Sequence, residues 1–195
     1  MGRQTIRQTR RESRERIVRA TEEVVRRRSY SELTVDEVMR EAGLGRTIFY
    51  RHFDDLGDLL TRASREALEA LFEAQGSFVE TGHADATEAV RRAMTAAVDV
   101  YQRHGPLLRC VAEAAAADEQ IAEGYAAMRK RFDDFAEQAL RVVAGLDSPN
   151  LAETTRALNL MNETYLTWAF GREPRVEPEI VVQTLTGIWD AVIHR

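Results

Sequence analysis

Residues 34–53 read "TVDEVMREAGLGRTIFYRHF", and almost every position carries a local instruction. Thr34 with Glu37 three residues on predicts a capping box, in which each side chain satisfies a backbone N–H that the first helical turn leaves orphaned. Val35, Val38, Met39 and Ala42 share the inward side of a short helix, and Gly43 ends it. A second helix is expected from about Arg46 to His52. On it Phe49 and Phe53 stand four apart and face inward, with Leu44 in the turn beside them. The pairs Arg46/Tyr50 and Thr47/Arg51, also four apart, face outward. Two helices joined by a short glycine turn, the second basic and aromatic on its outer face, form a helix-turn-helix. Such a second helix fits the major groove of DNA, where Arg reads guanine N7 and O6 and polar side chains grip phosphates. The alternative is a surface helix with two chance arginines. The candidate DNA contacts are Thr34, Arg46, Thr47, Tyr50, Arg51 and His52.

The charge distribution agrees with a nucleic-acid head. The 195 residues carry a net charge of −5, yet residues 1–65 hold 15 arginines against 11 acids, and residues 66–195 hold 12 basic residues against 21 acids. A basic N-terminal module on an acidic body suits a polyanion partner for the first part only; a solvated helix face is the plain alternative. The arm arginines Arg3, Arg7, Arg10 and Arg11 add to that charge. One cysteine, Cys110, excludes an internal disulfide framework and suits a reducing cytosol. No apolar run reaches the ~18 residues of a membrane span, and the Arg-rich N-terminus has no apolar core of a secretory signal, so a cytoplasmic protein is expected.

Outward from the quoted stretch the chain reads as helices throughout. Ile17, Ala20, Val24 and Val25 mark an N-terminal helix, and a break follows at "RSYSEL". Asp55 caps a long helix beginning near Leu56. "GHAD" (Gly82 to Asp85) separates it from a helix over about 86–103, and Gly105-Pro106 starts a short one. A long helix covers about 119–144. Ser148 and Pro149 serve as N-cap and first position of a helix reaching Phe170, and the last helix fills 179–193. The expected fold is all-α with about nine helices: a helix-turn-helix DNA-binding head with a basic arm over residues 1–55, and a larger helical ligand-binding and dimerisation domain over 56–195.

From about Ile17 to Leu60 the sequence resembles the DNA-binding head of the TetR family of transcriptional repressors, with Ala42-Gly43, Phe49-Tyr50 and Phe53 in the family's places. It departs from the family at Gly45 for a usual Ser, Ile48 for a frequent Thr, His52 for a frequent Tyr and Leu56 for a usual Lys. The resemblance implies a homodimer on double-stranded operator DNA, one recognition helix per subunit, and a small effector that releases it. "ALNLMNE" (Ala157 to Glu163), with a Trp in the last helix, resembles the EthR-type members of that family. That likeness implies an apolar effector pocket walled by Met94, Tyr101, Met128, Phe132, Phe135, Asn159, Asn162, Glu163, Leu166 and Trp189. It also implies a dimer seam along the last two helices.

Read from the residues alone, Asn159 and Asn162, three apart, can orient a polar group inside an apolar cavity, or they can bond helix carbonyls within an ordinary core. Val181, Leu185, Ile188 and Val192, with Gly187 and Ala191 allowing close approach, offer an apolar face to a partner subunit or to the monomer's own core. An enzyme reading finds little support. A di-iron bundle needs two Glu-x-x-His motifs, and Glu80 to His83 is the one match. The four histidines are scattered, and Cys110 has no evident base. No catalytic, metal or cofactor-binding residues are therefore expected. The remaining alternative is a helical ligand-binding or scaffold protein that does not bind DNA.

Overall fold

A computed structural model of the chain describes residues 2–80, 86–173 and 175–194, with the backbone alone for residues 2–8, 77–80 and 143. The expected break at Gly82 to Asp85 and the side chains of Arg3 and Arg7 lie outside the described residues. Those residues form nine α-helices and no strand: α1 (Gly2–Val25), α2 (Val35–Ala42), α3 (Arg46–Phe49), α4 (Leu56–Ala63), α5 (Arg65–Glu80), α6 (Ala86–Ala117), α7 (Glu119–Val143), α8 (Leu151–Phe170) and α9 (Pro178–Ile193).

Two apolar cores divide them. In the head, Ile17, Val24 and Val25 of α1 pack with Val38, Met39, Phe49 and Phe53. Leu59, Leu60 and Ala63 of α4, just beyond the boundary expected at residue 55, join the same core. In the body, α5 to α9 surround Val98, Leu140, Leu166, Phe170 and Leu185. Helix α6 serves both, because Met94 to Tyr101 belong to the body while Leu107, Cys110, Val111 and Ala114 complete the head. The Cys110 thiol is fully buried, and that burial pushes its pKa up to about 12, so it is an inert core group.

Several local details differ from the sequence reading, each for a visible reason. Thr34 does cap α2, its hydroxyl accepting from the Glu37 N–H at 3.2 Å. The Glu37 carboxylate turns instead to the Arg28 guanidinium at 3.1 Å. A return bond of the expected kind appears one turn earlier, where Glu32 accepts from the Ser29 N–H at 3.0 Å and stabilises a 3-10 turn over Tyr30–Glu32. The long helix expected from Leu56 is interrupted at Ser64, a buried residue whose hydroxyl donates to the Thr61 carbonyl, an alternative to the regular ladder. Helix α8 begins at Leu151 rather than Pro149: Ser148 builds a turn, accepting from the N–H of Asn150 with its hydroxyl and from that of Leu151 with its carbonyl.

Gly105-Pro106 does not start a new helix, since α6 runs through both. An interior proline leaves the carbonyl four residues back without its donor. Here that carbonyl, of Gln102, receives the Arg175 guanidinium at 2.8 Å. Gly105 allows the C-terminal end of α8 to come close, because a Cβ there would lie 2.5 Å from the Phe170 carbonyl oxygen.

The seam between head and body is polar at its centre. Arg109, buried in α6, donates to the carbonyls of Val25 and Arg28 at 2.7 Å each, at the end of α1, and to that of Gly171 at 3.0 Å, just past α8. Its remaining nitrogen pairs with Glu113, whose other oxygen accepts from the Tyr30 N–H at 2.7 Å. Burial alone would raise the Glu113 pKa, but the Tyr30 N–H and the Arg109 and Arg172 guanidiniums outweigh it and hold it below the usual value. A depressed carboxylate contributes stability that is complete above its unfolded pKa and is lost as pH falls through the folded one. Arg109→Met should therefore cost about 3 kcal/mol or more, by stranding buried carbonyls. Glu113→Gln should remove part of the acid-side loss of stability. Denaturant midpoints measured from neutral pH into the acid range check both.

Candidate functional site

The exposed side of the head is set by a helix of four residues. Only Arg46 and Thr47 of the outward candidates lie within α3, since Tyr50 caps its C-terminus and Arg51 and His52 occupy the following turn. Gly45, the N-cap, makes no side-chain bond. Phe49 and Phe53 anchor the segment in the head core, with ring centroids 5.6 Å apart. Outside, Arg46 bonds both oxygens of Asp36 at 3.0–3.1 Å and the Tyr50 hydroxyl at 3.1 Å. Thr47, Tyr50 and Arg51 are exposed. Arg46, Thr47, Tyr50 and Arg51 thus form one exposed polar face. Thr34 sits at the N-terminus of α2, its hydroxyl engaged as a cap.

His52 is part of the scaffold as placed. It is half-buried, and its Nε2 lies 2.9 Å from the Ser13 hydroxyl of α1. Burial, then the positive fields of Arg10, Arg14 and Arg51, hold its pKa below the ordinary histidine value, so it is a neutral hydrogen-bonding group at pH 7. Arg10 and Arg16, also on α1, donate to the Arg51 carbonyl at 3.1 Å and the Ala42 carbonyl at 2.7 Å. These bonds hold the end of α2 and the turn after α3 against α1, and Arg11 is occupied with Glu15 at 2.7 Å.

A second candidate site lies in the body. Two adjoining cavities of about 120 Å³ and about 50 Å³ open between α5, α6, α7, α8 and α9. Met94, Asn159 and Asn162 border both. Tyr101, Met128, Phe132, Glu163 and Leu166 border the larger, and Phe135 and Trp189 the smaller. All ten residues of the sequence-derived set therefore face one or other chamber. The amides do not bond helix carbonyls. The Asn162 carbonyl accepts from the Trp189 indole N–H at 3.2 Å, and its NH2 points to the Met94 sulfur at 3.8 Å. Asn159 donates to Asp133 at 2.9 Å. Glu163 accepts from the Tyr125 hydroxyl and pairs with Arg129 at 3.2 Å. Burial first, then the Glu163 charge, raises the pKa of both Tyr101 and Tyr125, which remain neutral.

Gln75, Tyr125, Arg129 and Asp133 also line the larger chamber. The sequence reading missed them because helical spacing assigns a face and not a neighbour. The stacked Phe72 and Phe132 rings, 3.9 Å apart, show how closely α5 meets α7 here.

The comparisons with known proteins agree with this architecture. Residues 17–63 match the family described as "Bacterial regulatory proteins, tetR family", and residues 90–194 match the C-terminal domain of the transcriptional regulator EthR. The chain belongs to the TetR family of bacterial transcriptional regulators. Within that family it is EthR-like. It is 26% identical to EthR of Mycolicibacterium smegmatis over 180 residues, covering 89% of this chain and 82% of the relative. It is also 26% identical to EthR of Mycobacterium tuberculosis over 200 residues, covering 99% and 92%. Among solved structures, PfmR of Thermus thermophilus, a TetR family regulator, superposes with a TM-score of 0.73 at 20% identity, over 88% of this chain and 95% of that one. A Rhodococcus transcriptional regulator gives 0.74 at 21%, over 92% and 95%; at these identities the likeness concerns the fold.

The Asn162–Trp189 bond joins α8 to α9 inside the cavity wall. Asn162→Leu should cost about 1–3 kcal/mol by leaving the indole N–H buried without an acceptor. The double variant Asn162→Leu/Trp189→Phe should recover part of that loss. Thermal midpoints of the four proteins of this cycle measure the coupling.

Proposed function

We propose that the protein is a cytoplasmic homodimeric repressor that binds a palindromic operator and is released by a small, largely apolar effector. The observation that carries this reading is the exposed face of Arg46, Thr47, Tyr50 and Arg51 on a segment clamped to α1. A two-fold dimer presents two such segments to half-sites one helical turn apart, or a multiple of it. The two body cavities supply the effector site. The ligand loosens DNA by binding better to an arrangement in which the two heads no longer match the grooves. A coupling of about 1–3 kcal/mol corresponds to a 5- to 150-fold loss of operator affinity.

The dimer seam proposed is the outer side of α8 and α9, where Gly187, Ile188 and Ala191 of the expected face lie, but not Val181 or Leu185. Val181 and Leu185 are 0% and 1% exposed inside the monomer's own core, so a charge at Leu185 would disrupt the fold rather than the seam. The outward stripe consists of Ala157, Leu160, Thr164 and Trp168 on α8 with Ile180, Thr184, Gly187, Ile188 and Ala191 on α9, all uncharged and lying outside the core. Trp168, 68% exposed and stacked with Tyr165, and Ile188, 38% exposed, are large apolar groups facing outward. Trp168→Arg or Ile188→Arg should leave the helical fold intact and yield monomers with weakened operator binding. Light scattering that still shows a dimer for both would reject this seam.

DNA binding is tested by titrating the gene's own upstream DNA at fixed salt. Arg51→Ala should weaken binding by roughly 1–3 kcal/mol and relax specificity if its guanidinium reads a base. The Arg51 backbone carbonyl, which holds Arg10, is unchanged by that substitution. Tyr50→Phe should weaken all sequences alike if the hydroxyl grips phosphate. Unchanged affinity in both variants would reject the recognition face.

A further inference from the structure

The two body cavities are separated by a small set of shared side chains: Gln75, Ala93, Met94, Asn159 and Asn162 border both. A ligand that spans the chambers must pass these residues, so their hydrogen-bonding capacity bears on its middle. Asn159 is committed to Asp133. The Asn162 carbonyl is committed to Trp189, but its NH2 has only the Met94 thioether, a weak acceptor. Gln75 is the complement. Its Oε1 is buried, and no protein group among the described residues donates to it. The dividing wall therefore holds an under-used donor and an unpartnered acceptor amid Ala93, Met94, Phe135 and Leu166.

We propose that Gln75 is a specificity-determining residue that selects ligands carrying an N–H or O–H donor beside a carbonyl, as in a secondary carboxamide, with an apolar arm on either side. The inference rests on the effector reading of these cavities and adds to it the chemistry of the ligand's centre. The ligand carbonyl accepts from the Asn162 NH2, and its N–H donates to Gln75 Oε1. The apolar arms occupy the two chambers. A ligand with the same shape and no donor fills the same space but leaves Oε1 buried against an apolar or electron-rich group. Unpaired buried polar groups are the strongest means by which a pocket rejects a near-isostere. Water in the larger chamber can serve Oε1 in the free protein, and a donor-bearing ligand replaces what it displaces.

The test uses the full-length chain and a matched pair of probes, N-butylbutanamide and butyl butanoate, which differ by N–H against O. Calorimetric titration of the wild type should give about tenfold tighter binding of the amide, the equivalent of one hydrogen bond. Gln75→Leu should bind the two probes alike, and should hold the ester at least as tightly as the wild type does. Gln75→Met serves the same purpose if the branched side chain perturbs α5, and helicity and melting temperature establish that either variant is folded. Equal binding of the two probes by the wild type, or an amide preference that survives both substitutions, would overturn the assignment while leaving the effector cavity in place. Failure of the wild type to bind either probe at saturating concentration would overturn the cavity reading itself and this inference with it.

Discussion

The guanidinium of Arg109 is the constraint on which the arrangement of the two halves depends. It lies on α6, the helix shared by both cores, and reaches three backbone carbonyls and one carboxylate. Those acceptors belong to the end of α1, the segment after it, and the end of α8. Val25 and Gly171 stand where a helix stops and its last carbonyls lose their partners. A planar group with five donors in fixed directions can serve them together, whereas a lysine cannot. Gly171 is tightly enclosed at the same point, since a Cβ there would run into the Thr167 carbonyl oxygen and lie 3.1 Å from the Arg109 side chain. The head is thus seated on the body through backbone atoms at this point, beside the side-chain packing of α6 into the head core.

This seating bears on how the body is coupled to the head. The helix leaving the head is interrupted at Ser64, so it is not a single rigid rod. A second contact path runs from Asn159 and Asn162 along α8 to Gly171, through Arg109 to Val25 and Arg28, and up α1. From α1, Arg16, Ser13 and Arg10 hold the end of α2 and the recognition turn. Packed contact alone does not make a switch, because a ligand shifts an equilibrium only by its differential affinity for two arrangements. What the path provides is stiffness. A displacement of the end of α8 cannot be absorbed between helices without breaking charge-assisted bonds to carbonyls.

The head was readable from the sequence because its instructions are local. The cap at Thr34, the left-handed Gly43 with φ 63° and the Phe49/Phe53 pair each act within five residues. The cavity residues were brought forward by likeness to EthR-type chains, and helices α5 to α9 bring all ten to two adjoining chambers. What was illegible depends on partners distant in sequence. Pro106 read as a helix start because the donor that relieves it, Arg175, lies 69 residues away. Arg109 gave no signal, since its acceptors are backbone atoms of three other segments. Leu185 and Ile188 differ by less than a turn, and apolarity alone does not say which faces the monomer's core. His52 read as a surface donor because Ser13, its partner, is on another helix.

Helix α8 carries several demands. Its inner face, with Leu158, Leu166 and Phe170, completes the body core. Asn159, Asn162 and Glu163 border the cavity, its last residues meet Arg109, and Trp168 stands exposed on its outer side. Its outer side also carries exposed Glu153 and Arg156, so the uncharged stripe ending at Trp168 is only part of its surface. In the proposed dimer the same rigid element would lie between effector, partner subunit and head. A substitution that enlarges the cavity by moving α8 also moves the end that meets Arg109, whereas Gln75 lies on α5, which makes none of the Arg109 bonds. The residues of α8 itself serve the body core, the cavity wall and the Arg109 anchor at once.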